Sequence, residues 1–144
     1  MPLVFFTPAA ITLLLVLLHG SFSGLYKDSG MKNGLKYVLS NLEGEDVVYI
    51  YHPSVRSFMY YRKVGYFNAD NNVILGVEAL DHSGEIPQRL SSVKQRIWVI
   101  FTELNWENEE EEREGRFLIE YLNSRGPMLD RVENGMERIY LFQL

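Results

Sequence analysis

The residues best suited to chemistry follow two short apolar runs. Val47-Val48-Tyr49-Ile50-Tyr51 leads into His52, Ser54 and Arg56, and Ile97-Trp98-Val99-Ile100-Phe101 leads into Thr102, Glu103 and Asn105. If both runs are strands of one open α/β sheet, these groups sit at carboxyl ends, where ligands favour the crevice. A histidine near a carboxylate makes a general acid–base pair there, because an ordinary imidazole pKa of ~6.5 lies close to neutral pH. His52, Ser54, Arg56, Thr102 and Glu103 are therefore the candidate ligand-binding residues, and no residue is assigned as catalytic. The plainer account makes His52-Pro53-Ser54 a turn and Glu103 the start of a solvated acidic run, since fold position alone does not establish function.

A second cluster, Asp81, His82 and Glu85, offers three oxygen or nitrogen ligands near a turn. Spacing alone fixes no geometry for a metal, and Ser83-Gly84 reads more simply as a loop, so no metal is assigned. There is no Walker-type phosphate loop, no Gly-x-Gly-x-x-Gly after a strand, no His-Glu-x-x-His and no Gly-x-Ser-x-Gly. No cofactor is expected. The chain has no cysteine, which excludes a thiol enzyme, a disulfide framework and a Cys-ligated metal. With 14 Lys+Arg against 19 Asp+Glu, a net charge of −5 argues against a nucleic-acid partner.

The elements that must position these groups follow from hydrophobic period. At 144 residues the chain is the size of one small domain. Met31, Leu35, Val38, Leu39 and Leu42 recur at helical spacing, with Ser29 as an N-cap and an end near Gly44. Val47–Tyr51 is apolar on both faces, as a strand covered on both sides must be. A second helix follows, with Val55, Phe58 and Met59 on its apolar side, and then a turn at 68–72 and a strand over Val73–Val77. Ile86, Leu90 and Val93 mark a short helix with Pro87 in its first turn. After the strand Ile97–Phe101 comes an acidic-headed helix over Asn108–Ser124, whose buried face is Phe117, Leu118, Tyr121 and Leu122. Its glutamates point around the helix and suit the positive end of the macrodipole. Met128–Glu133 and Met136–Leu144 are two strands joined at Asn134-Gly135, a hairpin signal. The expected fold is a small three-layer α/β domain with parallel core strands and a C-terminal antiparallel hairpin. Tyr49, Tyr51, Tyr60, Tyr61, Tyr66 and Phe67 crowd one stretch; most suit sheet and core packing, and Tyr60, Tyr61, Tyr66 and Phe67 also suit a lipid-headgroup interface.

The N-terminus differs in kind. Residues 1–26 contain no Asp, Glu, Lys or Arg, and the first formal charge is Lys27. Leu3 to Leu18, extended to Leu25, reaches the ~20 mainly apolar residues that a spanning helix requires. A cleaved signal peptide cut near Gly24 lacks the positive n-region expected of one, and a buried core helix is the third alternative. Gly20 and Gly24 carry the spacing of a helix-dimerisation pattern at the membrane edge. The expected organisation is a transmembrane anchor over 1–26 and an extramembrane α/β domain over 27–144, with the lipid bilayer as a partner.

The order of these elements resembles a known tail. A terminal apolar helix, Leu35-Lys36-Tyr37-Val38, Gly44-Glu45-Asp46-Val47-Val48-Tyr49-Ile50-Tyr51 and Phe58-Met59-Tyr60-Tyr61 come first. Arg96-Ile97-Trp98-Val99-Ile100-Phe101, Tyr121-Leu122, Leu129-Asp130-Arg131-Val132 and Arg138-Ile139-Tyr140-Leu141-Phe142 complete it. Together they are similar to the C-terminal end of polyprenyl-phosphate-sugar-dependent membrane glycosyltransferases, of the protein-mannosyltransferase and aminoarabinose-transferase type. In that family the chemistry belongs to a many-helix membrane body, and no position here matches its catalytic motif. The resemblance implies a non-catalytic, single-pass accessory or remnant in glycan transfer, with a multi-helix glycosyltransferase subunit as partner. It also implies an extracytoplasmic location, whereas Lys27, Lys32 and Lys36 after the apolar segment favour the cytoplasmic side. The competing expectation is a free-standing small ligand-binding module or enzyme built around His52 and Thr102.

Overall fold

The computed structural model describes residues 30–68, 72–77, 85–102 and 109–144. Helix α1 (Met31–Asn41) buries Met31, Gly34, Leu35 and Val38, one stripe of an amphipathic helix. Strand β1 (Val47–Ile50) is buried on both faces. A 3-10 turn over His52–Ser54, with Pro53 in it, opens into α2 (Val55–Lys63). Strand β2 (Val73–Leu75), helix α3 (Glu85–Leu90) and strand β3 (Arg96–Phe101) follow. The long helix α4 (Glu109–Arg125) leads to the hairpin strands β4 (Met128–Asn134) and β5 (Glu137–Gln143).

The five strands form one mixed sheet in the order β2-β1-β3-β5-β4. β1 pairs in parallel with β2 (Val48 opposite Val73) and with β3 (Val48 opposite Trp98). β5 runs antiparallel to both β3 (Val99 opposite Tyr140) and β4 (Asn134 opposite Glu137). Because successive strand side chains alternate between faces, the apolar runs feed two cores. Tyr49, Ile97, Val99, Phe101 and Phe142 meet Ile86 and Leu90 of α3 and Leu118 and Leu122 of α4. Val48, Ile50, Trp98, Ile100 and Ile139 meet Leu35 and Val38 of α1 and Phe58 of α2. Two helices on each face make the expected three-layer α/β arrangement, with the parallel strands and the C-terminal hairpin where the sequence places them.

Several local expectations are corrected. Met59 is 45% exposed and Phe117 37% exposed; their neighbours Phe58 and Leu118 turn into the cores, so the adjoining residue turns outward. The strand expected over Val73–Val77 ends at Leu75, although the Gly76 N–H still bonds the Ile50 carbonyl at 2.7 Å. The hairpin loop is Gly135-Met136, with Asn134 already paired to Glu137. Gly135 has φ 63°, which suits the first loop position of a type II′ turn. The N-cap of α1 is Gly30, without a side-chain cap; the expected cap, Ser29, lies outside the described residues, as does the segment 1–26. Among the described residues, no helix is long and apolar enough to cross a membrane.

Candidate functional site

The connections leaving β1 and β3 go to opposite faces of the sheet. From β1 the chain enters α2, which packs with α1, and after β3 it comes to α4, which packs with α3. Adjacent parallel strands whose exits diverge in this way form a topological switch point, where α/β sheets commonly bind ligands. Ser54 and Thr102 meet there and both are fully buried. The Ser54 hydroxyl donates to the Thr102 carbonyl at 2.9 Å and accepts from the Thr102 N–H at 2.7 Å. It is thus spent on satisfying a backbone unit just past the end of β3, and it does not cap α2. The Thr102 side-chain hydroxyl is buried beside it with no hydrogen-bond partner.

The other expected site residues do not join this pair. His52 begins the 3-10 turn and is half-buried, and Arg56 is exposed on α2. No hydrogen bond or ion pair among the described residues ties either of them to Ser54 or Thr102. Glu103 and Asn105 lie outside the described residues, as do Asp81 and His82. Glu85 starts α3, 3.9 Å from Arg89 one turn later. Among the described residues, no group of three or more His, Asp or Glu side chains is arranged to hold a metal.

On the α3/α4 side of the switch point, Tyr51 donates to Glu114 Oε2 at 2.9 Å and lies 3.3 Å from the Glu111 carbonyl. Burial raises the Tyr51 pKa above the ordinary phenol value, and the bond to Glu114 adds to this. Tyr49 is pushed up to about 12, again chiefly by burial, with the Glu114 charge contributing. Both rings are neutral packing groups at neutral pH and neither is primed as a base.

Two hollows lie away from the carboxyl ends of β1 and β3. One, of about 90 Å³, is bounded by Leu42, Asp46, Val48, Phe67 and Val73 and is smaller than the ~300 Å³ typical of small-molecule sites. The other is an open depression along α4 between Glu109, Glu112, Arg113 and Arg116.

Two polar features escape sequence reasoning. Asp46 is buried and accepts from Trp98 Nε1 at 2.9 Å and from the Glu43 N–H at 3.0 Å. Arg96 closes this cluster, 3.1 Å from Asp46 and paired with Glu43. The second feature is Glu137, only 4% exposed at the start of β5. Its side chain lies in the notch between Gly30 and Gly34, where an added Cβ on Gly34 would stand 2.1 Å from Oε1. Burial raises its pKa to about 7, partly offset by the Gly34 N–H. That N–H is already committed to the Gly30 carbonyl at 3.0 Å, and Oε1 has no hydrogen-bond partner. An Asp just before a strand and two glycines four apart on a helix are the sequence marks of these features, and neither mark is specific.

The fold and strand-end geometry define a three-layer mixed α/β domain. Comparison with protein-family models, curated proteins and solved structures finds no match to the chain.

Proposed function

We propose that the chain is a membrane-anchored, non-catalytic α/β domain of the kind found at the tail of polyprenyl-phosphate-sugar-dependent glycosyltransferases. Residues 1–26 are its single span, and the domain acts as an accessory to a multi-helix transferase on the extracytoplasmic side. The observation that carries this reading is the use of Ser54. The buried Ser54 hydroxyl at the switch point is spent on the Thr102 backbone, and no hydrogen bond or ion pair among the described residues ties His52 or Arg56 to that pair. A charge-free segment long enough to span a bilayer, immediately before a helical layer, supports the anchor. The test is purification of the full chain from membranes, followed by incubation with a polyprenyl-phosphate sugar and acceptor. The chain alone transfers nothing, and a multi-helix membrane protein co-purifies with it. Transfer by the isolated chain contradicts the proposal.

One observation favours a second reading, a small ligand-binding module at the same switch point. The buried Thr102 hydroxyl lacks a partner, and such a group costs about 1–3 kcal/mol unless something bonds it. A ligand occupying that place would lose affinity in both His52→Ala and Thr102→Val, whereas an accessory domain keeps its function in both.

A further inference from the structure

The charges of the two helical layers are segregated. α1 carries Lys32 and Lys36, α2 carries Arg56, Arg62 and Lys63, and neither helix contains an acidic residue. All five basic residues are exposed. The opposite layer includes α4, which opens with Glu109 to Glu112 followed by Glu114. In a chain of net charge −5, one outer layer is therefore wholly cationic. Of the carboxylates beside α1, Glu137 is buried beneath it, Asp130 accepts from the Tyr37 hydroxyl at 2.6 Å, and Glu43 and Asp46 are tied to Arg96 at its far end.

The cationic layer is also amphipathic. Met59, Tyr60 and Val64 of α2 and the turn after it are 45%, 52% and 57% exposed. The rings of Tyr60 and Tyr61 meet edge-on at 5.3 Å, and those of Tyr61 and Tyr66 at 5.8 Å. Lys32 Nζ sits 5.9 Å from the centre of the Tyr66 ring. This chain of contacts forms a ridge from the first turn of α1 across to α2. Tyrosine, with an apolar body and a polar tip, suits the headgroup level of a bilayer, and lysine and arginine can lay their stems on apolar surface with the charge at the phosphates.

We infer that the α1/α2 layer is a docking face for a bilayer containing anionic phospholipid, with Tyr60, Met59 and Val64 entering the headgroup region and the five basic side chains on lipid phosphates. This rests on the membrane anchor of the proposed function and adds an orientation to it. Between Tyr26 and Met31 the connection can span at most about 18 Å, since an extended residue covers no more than ~3.6 Å. The start of α1, and the ridge beginning at Lys32, are thereby held close to the lipid surface. The acidic head of α4 on the far layer is repelled by the same surface, so both charges orient the domain one way. A nucleic-acid partner also fits basic side chains, but the apolar trio Met59, Tyr60 and Val64 and the adjoining charge-free segment favour lipid.

The test uses the full chain, whose lack of cysteine allows specific labelling. Tyr60→Cys on α2 and Glu120→Cys on the exposed side of α4 each take an environment-sensitive fluorophore. The labelled chains are reconstituted into vesicles of phosphatidylcholine with or without phosphatidylglycerol, containing spin-labelled quencher lipids. With phosphatidylglycerol, the label at position 60 is quenched severalfold more than the label at 120. The contrast shrinks in phosphatidylcholine alone and in Arg56→Gln/Arg62→Gln/Lys63→Gln, where docking falls about fivefold per charge removed. Equal quenching at the two positions, or a contrast indifferent to lipid charge, overturns the inference. So does a position-60 response to added RNA with none to anionic vesicles. An alkaline carbonate wash separates the two failures. A chain that resists the wash yet shows no contrast keeps its anchor and loses its docking face, whereas a chain stripped by the wash has no anchor.

Discussion

Ser54 and Thr102 exchange two hydrogen bonds across the ends of β1 and β3, at 2.9 and 2.7 Å, with both residues fully buried. A serine hydroxyl can serve as a nucleophile, a ligand or a structural bond, and here it serves as a bond between the starts of two connections. Removing it leaves a buried N–H and a buried carbonyl unpaired. Ser54→Ala is therefore expected to destabilise the domain by about 1–3 kcal/mol. Urea denaturation of the full chain in detergent measures it; an unchanged midpoint would show that water replaces the hydroxyl.

Glu137 makes stability depend on pH in the direction opposite to that of a salt-bridged acid. Its folded pKa of about 7 lies above the ordinary carboxylate value because burial disfavours the charge. The folded state holds the proton while the unfolded state releases it, so its contribution is fully present below about pH 4 and lost as pH rises through 7. The loss is on the order of 3 kcal/mol. Glu137→Gln flattens this slope in denaturation curves taken between acid and mildly alkaline pH; an equally steep slope in the variant would assign it to another group.

The notch that holds Glu137 is made by missing side chains. Gly34→Ala places a Cβ 2.1 Å from the carboxylate oxygen and 3.1 Å from Ile139 Cδ1. Alanine is the better helix former by about 1 kcal/mol, yet the substitution is expected to lower the thermal midpoint. Combining it with Glu137→Ala restores much of the loss, because the clash is with that one side chain; simple addition of the two losses would argue against the notch.

Tyr49 and Tyr51 set an alkaline limit. Their folded pKa values are raised above the ordinary phenol value, so their contribution is full below about pH 10 and is lost as pH rises beyond it. Phenolate absorbance from Tyr49 and Tyr51 is expected only together with loss of tertiary structure. In Tyr51→Phe the absorbance that accompanies unfolding is smaller by one phenol. An unchanged amplitude on unfolding in that variant would mean that the Tyr51 hydroxyl already reaches solvent in the fold.

Much of the fold is legible in the sequence because its strands are read by simple chemistry. The runs Val47–Tyr51 and Ile97–Phe101 are apolar at every position, which only a sheet covered on both faces allows, and they hold the centre of the observed sheet. Helical period marks α1 through Leu35 and Val38, but it cannot decide edges of a stripe, which is why Met59 and Phe117 turn out exposed. Asn134-Gly135 announces the hairpin, yet the cross-strand pairing of Asn134 with Glu137 moves the loop one residue on. The candidate site was legible only as a location. Ser54 and Thr102 are at strand ends as expected, but spacing along the chain does not reveal that one consumes the other's polar groups. Glu137 was hidden for a related reason: its burial depends on Gly30 and Gly34, about a hundred residues away in the chain.

The charge-free segment at residues 1–26, adjoining a cationic helical layer, carries the membrane-anchor half of the functional account. Alkaline carbonate extraction of membranes containing the full chain tests it most directly. Retention in the membrane pellet, with release only by detergent, is the predicted result; recovery of the intact chain in the carbonate supernatant would contradict it.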